Sequence, residues 1–470
     1  MKKKIFLFLV FLSLIFSYFL YDSIGNNKFP PIQFVKSFVP KEIKTKLRDL
    51  IKKEKVDHHG NRLKKVSTED RYEAILKQGS ISFEKTEEDN FLFKKKFFEL
   101  TKYKSEDLKY SKHPEFNAIG TSYLDFFDDK LILATGHGLF FYVEKDEFNI
   151  SNKIKLENIK TNIRDIVKYK QFYSSSLWGI KDILIIDDMI YMSYVNELEK
   201  SCWNTSILRS KINLKYLNFQ PFFTPSTCVK EKNEFGKMIG SGSGSFWEGQ
   251  SGGRLETFGK NKILFSTGEY RYQIHAQDEK SVFGKILSIN LDTGESNVVS
   301  LGHRNPQGLL FEEDRNYIIS TEHGPTGGDE ININNLKDTK TKNFGWPISS
   351  YGKHYYESEK AYEYAPLYKS HNEYGFVEPL KHYTPGLGIS QVEHIKINNE
   401  LIYFVGALGK KIEEGDMSLH IFDLDKKLEI ENYKIWPLGE RIRDIVFDKQ
   451  TETMYLFLET TSSIAIIKTK

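Results

Sequence analysis

The sequence predicts an all-β fold: one six-bladed β-propeller over residues 115–470, behind an N-terminal signal-anchor (residues 1–21) and a spacer or extension (22–112). Two observations carry this expectation. Six segments repeat one pattern of apolar strand, polar turn and second strand: AIGTSYLDFFDDKLILATGHG, GIKDILIIDDMIYMSYVNE, GGRLETFGKNKILFSTGEY, NPQGLLFEEDRNYIISTEHG, ISQVEHIKINNELIYFVGALG and RIRDIVFDKQTETMYLFLETT. Most are followed by a further short strand, such as GLFFYVE, GKILSIN or SLHIFDL. Apolar runs broken by Asp, Asn, Lys or Gly are a hairpin signature. A hairpin plus one strand cannot bury both its faces alone, but six such units arranged radially can.

The elements read in order as follows. Lys2, Lys3 and Lys4 precede the apolar run Ile5 to Tyr21, and no small-residue cleavage site follows. That pattern reads as an uncleaved signal-anchor with the lysines in the cytoplasm and the remainder exported, anchored to the inner membrane with the propeller in the periplasm. A cleaved signal peptide, giving a secreted protein, is the alternative. Residues 22–57 carry Ile43, Leu47 and Ile51 at four-residue spacing, a helix with one apolar face. In residues 58–112, RYEAILKQGSISFEK and DNFLFKKKFFELTKY fit either strands or short helices, and the pattern does not arbitrate.

Composition sets the partners. Lys+Arg 67 against Asp+Glu 64 is near balance, without a basic arm interleaved with aromatics, so nucleic acid is not expected. Cys202 and Cys228 are the two cysteines of the chain. In an exported protein so close a pair reads as a local disulfide on an insertion of the second repeat. No H-E-x-x-H helix is present, which weakens a hydrolase reading.

Polar residues concentrate where the repeats begin. Arg254 (third repeat), Arg304 and Asn305 (fourth), and Arg441 and Arg443 (sixth) stand at or just before the first strand of their unit. Strand alternation places Arg441 and Arg443 on one face. Cations converging from several repeats suit a small polyanion.

The runs HRNPQGL (303–309), EHGPTGGDEIN (322–332) and NFGWP (343–347) resemble the soluble quinoprotein glucose dehydrogenase and aldose sugar dehydrogenase family. The resemblance covers residues 240–470 well and 115–240 weakly. It implies a site for pyrroloquinoline quinone (PQQ) and calcium at the mouth of the propeller, a sugar substrate, and an electron acceptor near the membrane. Carried over by motif, Arg304, Asn305, His323, Arg441 and Arg443 would contact the cofactor, and Arg254 would join them as a converging cation. The backbone carbonyls of Gly324 and Pro325 would hold calcium. Asp329 and Glu330 would support that turn or a second calcium, or form an ordinary acidic turn.

Two departures bear on activity. Family members carry a catalytic His where Gln250 stands, and an amide is no base at neutral pH. The family Lys after Ala-Leu is replaced by Gly409, leaving Lys410 as its substitute only if the backbone bulges. Glu248, Glu269, His275 and His303 are the candidate replacements for the base. The sequence therefore supports a PQQ-dependent sugar dehydrogenase, with a non-catalytic propeller binding a sugar, glycan or protein at the same mouth as the alternative.

Overall fold

The structure is a computed structural model that describes residues 68–108, 121–231, 246–338, 340–355, 362–363 and 365–470. All lie within one compact unit, Ser67–Lys470. The expected signal-anchor and the amphipathic pattern at 43–51 lie outside the described residues. Among the described residues no helix is long and apolar enough to cross a membrane.

Each repeat segment forms an antiparallel hairpin, and the fold is β-propeller-like. The hairpins begin with the strands Ser122–Phe127, Ile180–Ile186, Gly252–Thr257, Pro306–Glu312, Ile389–Ile397 and Ile442–Asp448. Several are closed by two-residue turns with a residue at positive φ, such as Asp128-Asp129, Asp187-Asp188 and Asn398-Asn399. Asn and Asp tolerate the left-handed region, which fits the right-handed twist of a hairpin.

The six first strands form a closed ring. Ser122–Phe127 packs on Ile180–Ile186, that on Gly252–Thr257, then Pro306–Glu312, Ile389–Ile397 and Ile442–Asp448, which packs back on Ser122–Phe127. Side chains stitch neighbours across the ring. Asp444 accepts the Leu124 N–H at 2.8 Å, Asp182 accepts the Leu255 N–H at 2.8 Å, and Gln391 accepts the Leu309 N–H at 3.0 Å. These N–H groups face adjacent sheets, so without such acceptors they would be buried and unpaired.

The ring is closed on its outside by a hairpin from the segment that sequence patterning left open. After the helix Thr68–Gln78, strands Ser80–Phe93 and Lys96–Lys104 pair with each other. Ser80–Phe93 also joins Lys153–Thr161 of the first unit, and Lys96–Lys104 joins the last strand, Ser463–Thr469. Phe98 and Leu100 pack into the core with Trp436, Leu456 and Ile467, while Ile81 and Phe83 pack with Leu131, Ile154 and Ile464. The hairpin therefore ties the last unit to the first by backbone hydrogen bonds and by apolar burial.

A disulfide joins Cys202 to Cys228, with Cα atoms 5.3 Å apart. It pins the short strand Val229–Lys230 against Cys202-Trp203 of the second unit.

Candidate functional site

The three motif runs meet at one end of the fourth unit. The strand Tyr317–Glu322 ends in Glu322, a buried carboxylate that organises the turn. Its Oε2 accepts the Arg304 N–H at 2.7 Å, and its Oε1 accepts from Asn332 at 2.9 Å and faces His303 Nδ1 at 3.0 Å. Burial works against its charge, yet the His303 ring and these donors hold the carboxyl below its usual range. Glu322 is a residue that the sequence pattern does not single out. Its signal in the sequence was only its place next to His323.

Arg304 is buried at 5% exposure. Its Nη1 donates to the carbonyls of His323 at 2.9 Å and Gly324 at 2.6 Å, and its Nη2 lies 3.4 Å from the Tyr355 hydroxyl. Trp346 of the third motif lies beneath the guanidinium, 5.3 Å from its ring centroid, and Phe344 stacks on His303 at 4.8 Å. Arg304 forms no salt bridge among the described residues; the Glu269 carboxyl interacts with it only at longer range. Asn305 is fixed alongside, accepting the Gly252 N–H at 3.1 Å and donating to the Gly249 carbonyl at 3.2 Å. His323 Nε2 meets the Ile389 carbonyl at 2.7 Å. A carbonyl only accepts, so Nε2 carries the proton and Nδ1 is left as an acceptor toward Asn305. Burial, followed by the Arg304 charge, keeps the imidazole below its ordinary pKa despite Asp329.

Arg441 and Arg443 do lie on one face and share one carboxylate. Arg441 Nε reaches Glu459 Oε2 at 3.2 Å and Arg443 Nε reaches Oε1 at 2.6 Å. Arg441 also donates to the Leu408 carbonyl, and Arg443 lies 3.4 Å from Gln307 Oε1. Burial opposes the Glu459 charge, but the two guanidinium groups outweigh it and draw its pKa down to about 2. Glu459 lies across the hairpin from its partners, where its N–H donates to the Arg441 carbonyl at 2.8 Å, but the turn separates it from them along the chain, so no local pattern marks it.

Several expectations need correction. Arg254 does not present its cation to a ligand. Its Nη1 is held by Asp182 at 3.1 Å and Asp444 at 2.5 Å, its Nε by the Gln307 carbonyl at 2.7 Å, and its Nη2 by the Arg443 carbonyl at 2.6 Å. It is an internal tie across the ring. Lys410 stands beyond the end of the strand Glu400–Ala407 with an exposed side chain, its N–H held by Asp416 at 2.6 Å. Asp329 clamps loops: Oδ1 accepts the Gly324 N–H at 3.0 Å, and Oδ2 accepts those of Gly388 at 2.7 Å and Ile389 at 3.2 Å. Glu330 is buried toward Asn332 and His371. Among the described residues no cluster of three or more His, Cys, Asp or Glu is placed to hold a metal. The Gly324 carbonyl accepts one hydrogen bond from Arg304, at 2.6 Å.

Gln250 closes the short 3-10 turn Glu248–Gln250, just before the strand Gly252–Thr257. It is buried, and neither its Nε2 nor its Oε1 meets a partner among the described residues. Of the four candidate bases, His303 is excluded by its packing: Nδ1 faces Glu322, and Nε2 faces the Ser300 hydroxyl at 2.8 Å. His275 lies on a short helix against Tyr272 and Phe283. Glu248 is half-buried, on the same turn as Gln250. Glu269 is buried with Oε2 unpartnered.

A closed ring of six hairpins, with the buried Arg304 guanidinium and the orphaned polar atoms of Gln250 and Glu269 near the starts of its first strands, defines a propeller-like protein. A family model for glucose/sorbosone dehydrogenases matches residues 149–467, and the chain belongs to that family. It is 36% identical over 118 residues to the aldose sugar dehydrogenase YliI of Escherichia coli K12, covering 22% of this chain and 30% of that protein. It is 33% identical over 104 residues to quinoprotein glucose dehydrogenase B of Acinetobacter calcoaceticus, 20% of each chain. These alignments span less than a third of either relative. Among solved structures, the apo soluble aldose sugar dehydrogenase of Escherichia coli superposes with a TM-score of 0.54 at 19% identity, covering 74% of this chain and 95% of that one. The PQQ-bound aldose sugar dehydrogenase of Streptomyces coelicolor gives 0.53 at 16% identity, covering 77% and 98%. At that identity the likeness concerns the fold.

Proposed function

We propose that this chain is a quinone-dependent sugar dehydrogenase on a six-bladed propeller, with PQQ bound at the mouth formed by Arg304, Asn305, His323, Arg441 and Arg443. The observation that carries the reading is Arg304. A buried guanidinium without a counter-anion costs several kcal/mol unless an anionic group pairs with it. A carboxylated quinone supplies that anion, and family membership supplies the chemical class. The orphaned amide of Gln250 supports a polar ligand at the same place. The bound quinone would accept hydride from the sugar's C1. The chain's own residues bind and orient: Arg304 pairs with a carboxylate, Asn305 and His323 offer fixed polar atoms, and Trp346 keeps water from the cation's face. The carbonyls of Gly324 and Pro325 are the calcium candidates by resemblance. Export and membrane anchoring by residues 1–21, with electrons passing to an acceptor at the membrane, complete the proposal.

The second reading, a propeller that binds a sugar, glycan or protein without turnover, is favoured by Gln250, which cannot take a proton. One experiment separates the two. The purified full chain is titrated with PQQ in the presence of calcium and followed by quinone absorbance, then assayed by dye reduction with aldoses. Binding with turnover supports the dehydrogenase. Binding without turnover supports the second reading, and no binding at micromolar PQQ overturns the cofactor assignment.

A further inference from the structure

Beside the Gln250 turn and Arg304 lies a buried acid that the reaction outlined above does not use. The segment Gly268–Tyr270 is strapped onto the Gln250 turn: Gly268 N–H donates to the Ser251 carbonyl at 2.9 Å and Tyr270 N–H to the Gln250 carbonyl at 3.0 Å. Between them, Glu269 N–H donates to the Arg304 carbonyl at 3.1 Å. Glu269 is thus fixed between the backbones of Gln250 and Arg304. Its Oε2 is buried without a partner, as are both amide atoms of Gln250. Three orphaned polar atoms on two strapped segments call for a polar occupant.

We propose that Glu269 is the general base for the oxidation, in place of an imidazole at position 250. The inference rests on the quinone-dependent reading. In the step, the O–H bond of the anomeric hydroxyl breaks and its proton goes to the Glu269 carboxylate. The C1–O bond becomes a carbonyl, and the C1–H electron pair leaves as hydride to the quinone, which is reduced by two electrons. Gln250 keeps a hydrogen-bonding role toward the sugar hydroxyls. The charged groups facing the carboxyl are Arg304 and Arg271, the latter also through its backbone N–H. Burial outweighs both and raises the carboxyl to about 8. A base of that strength suits proton abstraction near neutrality. Because the acid is mostly protonated at neutral pH, the working form grows as pH rises. From pH 6 to pH 8 the ionised fraction, and with it kcat/KM, climbs about fifty-fold.

The test compares wild type, Glu269→Gln and Gln250→His as full chains, with folding checked by thermal melts. In cofactor-free protein, infrared difference spectra should show a protonated carboxyl titrating near pH 8 that is missing in Glu269→Gln. A Glu269 already ionised at pH 6 overturns the proposal. With PQQ and calcium, Glu269→Gln should bind quinone within a few-fold of wild type. Its kcat/KM should fall about a hundred- to ten-thousand-fold, with the alkaline limb abolished. Retained rate with the limb intact overturns the assignment. Gln250→His should shift the limb down toward the imidazole range near 6.5; an unmoved limb with Glu269→Gln fully active points to a different base and overturns it too. Absence of PQQ binding to wild type overturns the quinone reading, and the base role falls with it, whereas binding with a pH-independent rate overturns the base role alone.

Discussion

Replacing Arg254 by Leu isolates the tie at the centre of the ring. The guanidinium is 3% exposed and is shared by Asp182 and Asp444, with two backbone carbonyls completing its bonds. Leucine leaves two buried carboxylates facing each other without a cation. Removing one partner of a buried pair costs about 3–5 kcal/mol, roughly two to four decades in the folding equilibrium. The loss should depend on pH. Burial already raises Asp182 to about 7 and Asp444 above its ordinary value, against the pull of Arg254. Without Arg254 both rise further. An acid whose folded pKa is raised favours the native state when protonated, and that contribution fades as pH climbs from the unfolded value through the folded one. The penalty of Arg254→Leu should therefore be largest at pH 8 and partly relieved at pH 5, where the aspartates are neutral. Urea unfolding of wild type and variant at both pH values measures it. A cost below 1 kcal/mol at pH 8, or the same cost at both, would refute the reasoning. A normally stable variant that only binds ligand less well would mean that the guanidinium faces the ligand after all.

Other outcomes follow from the same geometry. Arg304→Ala should weaken PQQ binding by about 2–5 kcal/mol, since a desolvated carboxylate loses its charged donor, while the melting temperature changes little; an unaltered titration would remove Arg304 from the site. Cys202→Ser with Cys228→Ser should lower stability by about 3.5 kcal/mol, the loop-closure value for a separation of 26 residues, and thiol counting on unreduced protein should find none free. A chain starting at Ser67 should unfold cooperatively, whereas one starting at Thr121 loses the strand that completes the last unit and should aggregate or melt far lower. Glu322→Gln should disturb the Arg304 turn and weaken quinone binding without shifting the alkaline limb of turnover, because its carboxylate holds backbone and His303 and does not face the ligand.

The sequence by itself determined the repeat. Alternating apolar strands and Asp or Asn turns are local properties, so all six hairpins and the third strands could be read from spacing and composition. It also determined the cluster of motifs around Arg304, because those runs are close in the chain, and the proximity of Cys202 and Cys228. The hairpin Ser80–Lys104 escaped because its turn is Lys94-Lys95, both at positive φ, without the Gly or Asn that marks such turns. Only the tertiary structure decided which charges are available. Arg254, Arg441 and Arg443 look alike in the sequence, yet Asp182, Asp444 and Glu459, brought from other strands, claim them to different degrees, while Arg304 meets two carbonyls and the Tyr355 hydroxyl and forms no salt bridge among the described residues. The choice of Glu269 over His303 was decided in the same way. An acid's availability depends on the partners that long-range folding brings within hydrogen-bonding distance, and no local pattern encodes those partners.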